Sequence, residues 1–414
     1  MKTIIEIAWK NVWRNKIRSI IVITSITVGL IGGIFYLAFS NGMVQSQVAS
    51  SIKTEISNIE IHNPKYLVND ETKCSIKNTE QIVIQLKNVK GIASVSTRLK
   101  SMGMISSATT GAGIILNGID INNEIKTTDV FEKIIDGNYF KKEIRNPIVI
   151  SKKLADKLKV KVGSKIVVTL QNMNDEITYG ALRIIGIYKT DNANFDIYNT
   201  FVVKKDLARL ISYQGTEATE IAILLKHNEL TDSVTAKLNN IFTEQISNKE
   251  VVIQSWKQIQ PILEMMNNMT IQFTLIFVII ILIALSFGII NTMLMAIMER
   301  IREIGMLMAI GMSKVKVFIM IMMETVFLSF TGGLLGIIIS WVLVKITFQT
   351  GIDLSVFGEG LNSWGYSSFI RPNINTIYYF IVTLLVIITA MFASILPARK
   401  ALKLIPSEAI RQDV

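Results

Sequence analysis

Four long apolar runs punctuate the chain, and a polar stretch, residues 57–261, separates the first from the second. The longest run, Met265 to Met298, contains no charged residue. As a helix rising about 1.5 Å per residue it reaches roughly 50 Å, well beyond the roughly 30 Å core of a bilayer. It reads as a span that projects past one membrane face. The run stops at Glu299-Arg300-Ile301-Arg302-Glu303. Gly305, Gly311 and Ser313 read as breaks in a short charged turn, and Lys314 and Lys316 lead into the next run. The other apolar runs predict spans over 17–40, 317–344 and 374–396, the last ended by Pro397-Ala398-Arg399-Lys400. Residues 2–15 place Ile5, Trp9, Val12 and Trp13 at helical spacing, with Lys2, Glu6, Lys10 and Arg14 on the other side. That pattern suits a helix at the membrane interface.

The polar stretch alternates strand-like and helix-like patterns. Strands are expected at Ile59–His62, Ile92–Arg98, Ile114–Asn117, Ile148–Ile150, Ile166–Leu170, Leu182–Tyr188, Thr200–Val203, Ile221–Leu225 and Val251–Gln254. Asn78 or Thr79 caps a helix ending by Gly91, Ser151 caps Lys152–Lys159, and Thr231 or Asp232 caps a helix to about Glu244. The stretch is therefore α+β, with 57–110 and 217–256 as outer parts and a more β-rich middle, 113–214, as an insertion. Gln45 to Ile56 continues the first span as a stalk. Gly111-Ala112-Gly113 reads as a flexible loop, and Asp191, Asn194 and Asp196 as a turn.

The resulting plan is an interfacial helix 1–16, span 17–40, stalk and α+β domain 41–264, span 265–298, charged segment 299–316, span 317–344, outer loop 345–373, span 374–396 and tail 397–414. The apolar run Ile20 to Phe39 is too long for a signal peptide and no A-x-A-like site follows, so a retained first span is expected.

Composition agrees with this plan. Half the residues are hydrophobic and 18% are charged, a mixture of membrane spans and one polar domain. The net charge of +11 raises nucleic acid as a partner, but many cations flank the apolar runs, as membrane topology requires. A single cysteine, Cys74, excludes an internal disulfide framework. His62 and His227 lie far apart and read as surface residues, with no Cys/His metal spacing. The acids of the polar domain are scattered among lysines, as on a solvated surface, and show no nucleophile–base or metal constellation. No G-x-x-x-x-G-K-[ST] occurs, so this polypeptide is not expected to hydrolyse ATP itself.

Cations decide orientation. Lys2, Lys10, Arg14, Lys16 and Arg18 precede the first span, Arg300, Arg302, Lys314 and Lys316 fill the charged segment, and Arg399, Lys400 and Lys403 follow the last. This puts both termini and 299–316 in the cytoplasm and the large domain outside. Glu324 lies inside the third span. An acid there is either a functional group or a structural partner of Lys314, Lys316 or Arg300, and an end-of-span position favours the second. Gly29 with Gly33, and Gly332 with Gly333 and Gly336, offer small faces for close helix packing.

Several segments resemble the MacB/FtsX/LolE-type permeases of ABC transporters. They are Ala8-Trp9-Lys10-Asn11-Val12-Trp13-Arg14-Asn15-Lys16-Ile17-Arg18-Ser19, Asn291-Thr292-Met293, Met298 through Gly305, Ala309-Ile310-Gly311-Met312-Ser313, Leu396 through Ala401, and Ile405-Pro406-Ser407-Glu408-Ala409-Ile410. Glu324 falls where that family commonly has an acid. The resemblance implies a dimer with a second permease, homo- or hetero-, in a bacterial inner membrane. It also implies a separate ABC ATPase subunit holding ATP and Mg. The segment with Glu299, Arg300, Arg302, Glu303, Gly305, Gly311 and Ser313 would couple to that ATPase. Motion passed to the outer domain would release lipoprotein, to a periplasmic carrier, or export other amphiphiles. The alternative is an FtsX-like mechanotransmission subunit that regulates a cell-wall hydrolase. A membrane-anchored enzyme is disfavoured by the missing catalytic constellation.

Overall fold

The computed structural model describes residues 2–69, 72–140 and 144–402. Its contacts divide it into a helical unit and an α/β unit. The helical unit comprises the described residues up to Val44, Asn267–Asp353 and those from Phe369 onward, and the α/β unit comprises Gln45–Met266 with Leu354–Ser368. The C-terminal motif from Lys403 to Ile410, and Arg411 beyond it, lie outside the described residues.

Among the described residues, the helical unit holds a short antiparallel pairing of Ile352–Asp353 with Phe369–Ile370 and six helices: α1 (Lys2–Arg14), α2 (Lys16–Ser51), α3 (Pro261–Glu299), α4 (Ile301–Ala309), α5 (Lys314–Thr350) and α6 (Thr376–Leu402). Four of them, α2, α3, α5 and α6, are long and apolar enough to cross a membrane. The 39 residues of α3 make it about 60 Å long. One stripe of each long helix faces the others, including Ile26 and Leu30 of α2, Ile289 and Met293 of α3, Ile321 and Leu328 of α5, and Val382 and Val386 of α6. The other faces stay apolar and exposed, as with Phe273, Ile276, Ile280 and Phe287 on α3. Helices that are apolar all round belong in lipid, where association depends on close packing rather than on expelling water.

Small residues supply that packing. A Cβ on Gly332 would stand 3.0 Å from Ile26 Cβ, and one on Gly336 would stand 2.8 Å from Leu30 Cβ. Thr27 Oγ1 donates to the Gly332 carbonyl at 3.1 Å. Gly29 lies against Leu285, whereas Gly33 meets only an ordinary contact at 3.9 Å, from Val382. Helix α6 does not end at Pro397 but runs through it to Leu402. Arg399 and Lys400 in the last turn suit the negative end of the helix dipole.

The α/β unit is built on one sheet of ten strands: β1 (Ile59–His62), β2 (Ile92–Ser106), β3 (Gly111–Ile119), β4 (Ile134–Gly137), β5 (Pro147–Ser151), β6 (Lys165–Gln171), β7 (Ile177–Tyr188), β8 (Asn199–Val203), β9 (Glu220–Leu225) and β10 (Val252–Ser255). Their order is β10-β1-β9-β2-β3-β8-β5-β7-β4, with β6 paired to β2 and β7. Pairs β3/β8 and β5/β7 are parallel. Strand β2 joins two halves: Ile92–Arg98 pairs with β9, and Gly103–Ser106 pairs with β6. On one side Ile59, Ile61, Leu86, Ile221, Ile223, Leu238 and Phe242 make a core drawn from the outer parts of the sequence. On the other side Leu99, Leu116, Ile150, Leu154, Val168 and Leu182 make a core drawn from the middle.

Several expectations are corrected. Gly111-Ala112-Gly113 is not a loop but the start of β3, because Ala112 pairs with Ile105 and is buried. Strand β4 has no sequence signal, being short, largely exposed and irregular in its pairing with β7. The helix expected to reach Glu244 breaks at the fully buried Phe242 and resumes as Thr243–Ser247. Asn78 makes no side-chain cap, while Ser151 caps Lys152–Leu158 by accepting from Leu154 N at 3.1 Å. Ala193–Tyr198 is a short helix rather than a turn, and Asp196 on it is buried and bonded by Thr190 N and Oγ1. Residues Leu354–Ser368, read as outer loop, group with the α/β unit, where Gln47 Nε2 donates to Trp364 O at 2.9 Å.

Candidate functional site

The charged segment after α3 is a helix, not a turn. In α4, Ile301, Ile304 and Gly305 are buried while Arg302 and Met306 are exposed, a spacing of three and four that defines two faces. Gly305 is therefore a buried position inside the helix and not a break. The break comes at Gly311, whose φ of +101° ordinary residues rarely adopt. Gly311 N donates to Met308 O at 3.1 Å and Met312 N to Leu307 O at 3.0 Å, the bond pair of a Schellman cap. Ser313 then opens α5 with extended backbone, and its carbonyl accepts from Lys316 N and Val317 N.

A chain of ion pairs joins α1, α4 and α5. Arg14 on α1 pairs with Glu303 Oε1. Arg300 Nε donates to Glu303 Oε2 at 3.2 Å, and Arg300 Nη1 donates to both oxygens of Glu324 at 3.3 and 3.2 Å. Exposure falls steadily along the chain: 55% for the Arg14 side chain, 42% for Glu303, 15% for Arg300 and 5% for Glu324. Partial burial pushes the Glu303 carboxyl up, but the hydrogen bonds from Arg14 and Arg300 outweigh it and hold it below the usual range. Arg300 thus reaches inward to a buried acid on a membrane-type helix. Beside these groups lies a cleft of about 320 Å³ lined by Ile7, Asn11, Arg14, Ile297, Arg300 and Glu324.

The residues singled out from sequence separate into two sets. Arg300, Glu303 and Glu324 meet in the ion-pair chain. Glu299, Arg302, Gly311 and Ser313 are exposed, next to the exposed apolar side chains of Met306, Ile310 and Val315. Arg14, read from sequence only as an orienting cation, is the missed member of the chain. Its signal was its place on the polar side of α1.

A second charged cluster had no sequence signal. His62 is buried rather than on the surface, and Glu60, Glu124 and Glu220 are buried with it. Arg98 Nη2 lies 2.9 Å from Glu124 Oε1, and Arg98 Nη1 lies 2.7 Å from Glu220 Oε1. Lys100 pairs with Glu220 Oε2, and Ser96 Oγ donates to Glu124 Oε2 at 2.6 Å. Burial raises the Glu220 carboxyl, but Lys100, Arg98 and His62 overcome it and bring it down to about 2. The scattered acids were misread as solvated because alternation along β1, β2 and β9 does not reveal which polar residues meet across strands.

Helices of this length and apolarity, with an α/β unit inserted between the first two, define a multi-pass membrane protein. Residues 19–241 match the MacB-like periplasmic core domain, and residues 275–406 match the FtsX-like permease C-terminal domain. The chain belongs to the MacB/LolC/FtsX-type ABC transporter permeases. It is 24% identical to the lipoprotein-releasing system transmembrane protein LolC of Buchnera aphidicola over 80% of this chain and 79% of that one. It is 26% identical to the macrolide export ATP-binding/permease protein MacB of Escherichia coli over 57% of this chain. It spans much less than two thirds of the MacB relatives, 16% of that from Chlorobium luteolum and 35% of that from Escherichia coli. The extracellular domain of the transporter YknZ from Gram-positive bacteria aligns with 48% of this chain and all of its own at 17% identity, with a TM-score of 0.34.

Proposed function

We propose that this permease is driven by a separate ABC ATPase that binds ATP and Mg and docks on the exposed face of α4. The observation that carries this reading is that face: Arg302, Met306 and Ile310 lie exposed beside the rigid Gly311 cap, on a short segment between two spans. Apolar side chains around a cation form the kind of centre on which protein interfaces depend. The cation pattern supports a cytoplasmic position for this face and both termini in a bacterial inner membrane. The permease works as a dimer with a second permease, and its α/β unit handles cargo on the opposite side. Helices α2 and α3 are unbroken where the two units join in sequence, which supports transmission of motion along them. The likeness to LolC, over 80% of this chain and 79% of that one, favours lipoprotein, or another amphiphile, as the cargo.

Replacing Met306 and Ile310 together by Asp tests the docking face. The purified permease–ATPase complex should lose affinity by about a hundredfold, as for two interface anchors, while insertion is unchanged. Unchanged affinity and ATPase stimulation would remove the assignment. Orientation has its own check: an impermeant maleimide should label Cys74 in intact spheroplasts, with denatured protein as the burial control. Labelling only after the membrane is opened reverses the topology.

A further inference from the structure

His62 is placed between acceptors on both ring nitrogens. Its Nδ1 is 3.3 Å from the Thr219 carbonyl oxygen and its Nε2 is 2.8 Å from Glu60 Oε2. A carbonyl oxygen only accepts, so Nδ1 carries a proton, and Nε2 in turn faces a carboxylate oxygen. An imidazolium satisfies both contacts, donating from each ring nitrogen. Charge counting agrees. Four carboxylates, Glu60, Glu124, Glu220 and the partly buried Glu55, stand against two cations, Arg98 and Lys100, so the cluster is short of positive charge. Glu60 needs that charge most, because its buried Oε1 has no hydrogen-bond partner and His62 is the donor to its Oε2.

Glu60, His62 and Glu220 also bring three metal-type ligand atoms within 4.8 Å of one another. Both oxygens of Glu220 already face cations, Oε1 toward Arg98 and Oε2 toward Lys100. A divalent ion would have to displace Lys100, whereas a proton on Nε2 adds a positive charge with every contact intact.

We propose that His62 is a proton-held lock: its imidazolium clamps β1 to β9 and, through Glu220 and Arg98, to the π-helical turn Ile52–Ile56, and alkaline pH releases the clamp. The connection to the turn is direct, since Arg98 Nη1 also donates to the Glu55 carbonyl at 2.8 Å. That turn follows α2 directly in sequence. The groups facing His62 are Glu60 on β1, Glu220 on β9, Lys100 on β2 and the Tyr66 ring, stacked on it with centroids 5.6 Å apart. Burial by itself lowers the imidazole, but the Glu60 hydrogen bond and the charges of Glu60 and Glu220 outweigh burial and the opposing Lys100, and hold it above its ordinary value. The sign follows: a raised folded value makes the contribution complete below about pH 6.5, the unfolded value, and it is lost as pH rises through the folded one.

The test uses the full-length protein in nanodiscs. The chain has two histidines, so His227→Gln leaves His62 as the single imidazole for ring-nitrogen NMR. Two protonated nitrogens at pH 7, with a midpoint above about 6.5, are expected. A singly protonated ring at pH 7 overturns the lock. Amide exchange across residues 52–62, corrected for intrinsic rates, should show opening that rises up to about tenfold per pH unit from about 6.5 to that midpoint and then levels. His62→Gln should abolish the slope; a slope that persists overturns the lock. The NMR measurement decides alone if that variant does not fold. Stoichiometric Zn²⁺ binding that releases the Nε2 proton makes this a metal site and also refutes the proposal.

Discussion

The ion chain Arg14–Glu303–Arg300–Glu324 grades from exposed to buried, whereas the network around Arg98 is buried throughout. Each places carboxylates against guanidinium groups, yet they differ in what a lost partner costs. In the α/β unit, no member of the Arg98–Glu124–Glu220 set can turn to water. In the helical unit, Arg14 and Glu303 are 55% and 42% exposed, whereas Arg300 and Glu324 are largely buried. Burial, and not the number of pairs, should therefore set the ranking of substitutions in both regions.

The largest effect is expected from Arg98→Met. It strands Glu124 and Glu220 in the interior, a change that costs about 3–5 kcal/mol when a buried pair is broken. Denaturant unfolding of the purified protein reads this directly. Adding Glu124→Gln should recover part of the loss, because it removes one of the two stranded charges. A cost below about 1 kcal/mol would mean that water reaches the network, and the contrast between the two regions would disappear.

The two regions also differed in how far sequence disclosed them. The helical unit was readable because span length, an uncharged run and flanking cations are local signals, and Arg300, Glu303 and Glu324 lie within 25 positions of one another. Even there, Gly305 and Pro397 were misread, since local breaker preference yields to a helix already held by its packing. The strands of the α/β unit were largely visible through β-branched runs. The network was not: Glu60, Arg98 and Glu220 are far apart in sequence and meet only because β9 lies between β1 and β2. Pairing order, which brings charges together, is a property of the whole sheet.

Within the ion chain, the inner step should outweigh the outer one. Arg300→Met leaves Glu324 buried without this cation, and about 3 kcal/mol of stability in micelles should be lost. Glu324→Gln keeps the shape and still accepts from Arg300, so about 1 kcal/mol is expected, with most transport activity retained. A Glu324→Gln protein that assembles normally but no longer couples ATP hydrolysis to transport would show that the acid works in the mechanism and is not only a partner for Arg300.

The smallest effect belongs to the outer end. Arg14 is 55% exposed and Glu303 is 42% exposed, so solvent and salt screen their attraction. Glu303 also keeps Arg300 when Arg14 is removed. Arg14→Ala should therefore cost between 0 and about 1 kcal/mol, and less still in high salt. Unfolding at low and high ionic strength, compared with Arg300→Met, separates the two ends: the Arg14 effect should shrink with salt while the Arg300 effect stays. An Arg14→Ala loss as large as that of Arg300→Met, and insensitive to salt, would show that the outer pair is shielded in the bilayer interface. The graded chain would then behave as a buried network along its whole length.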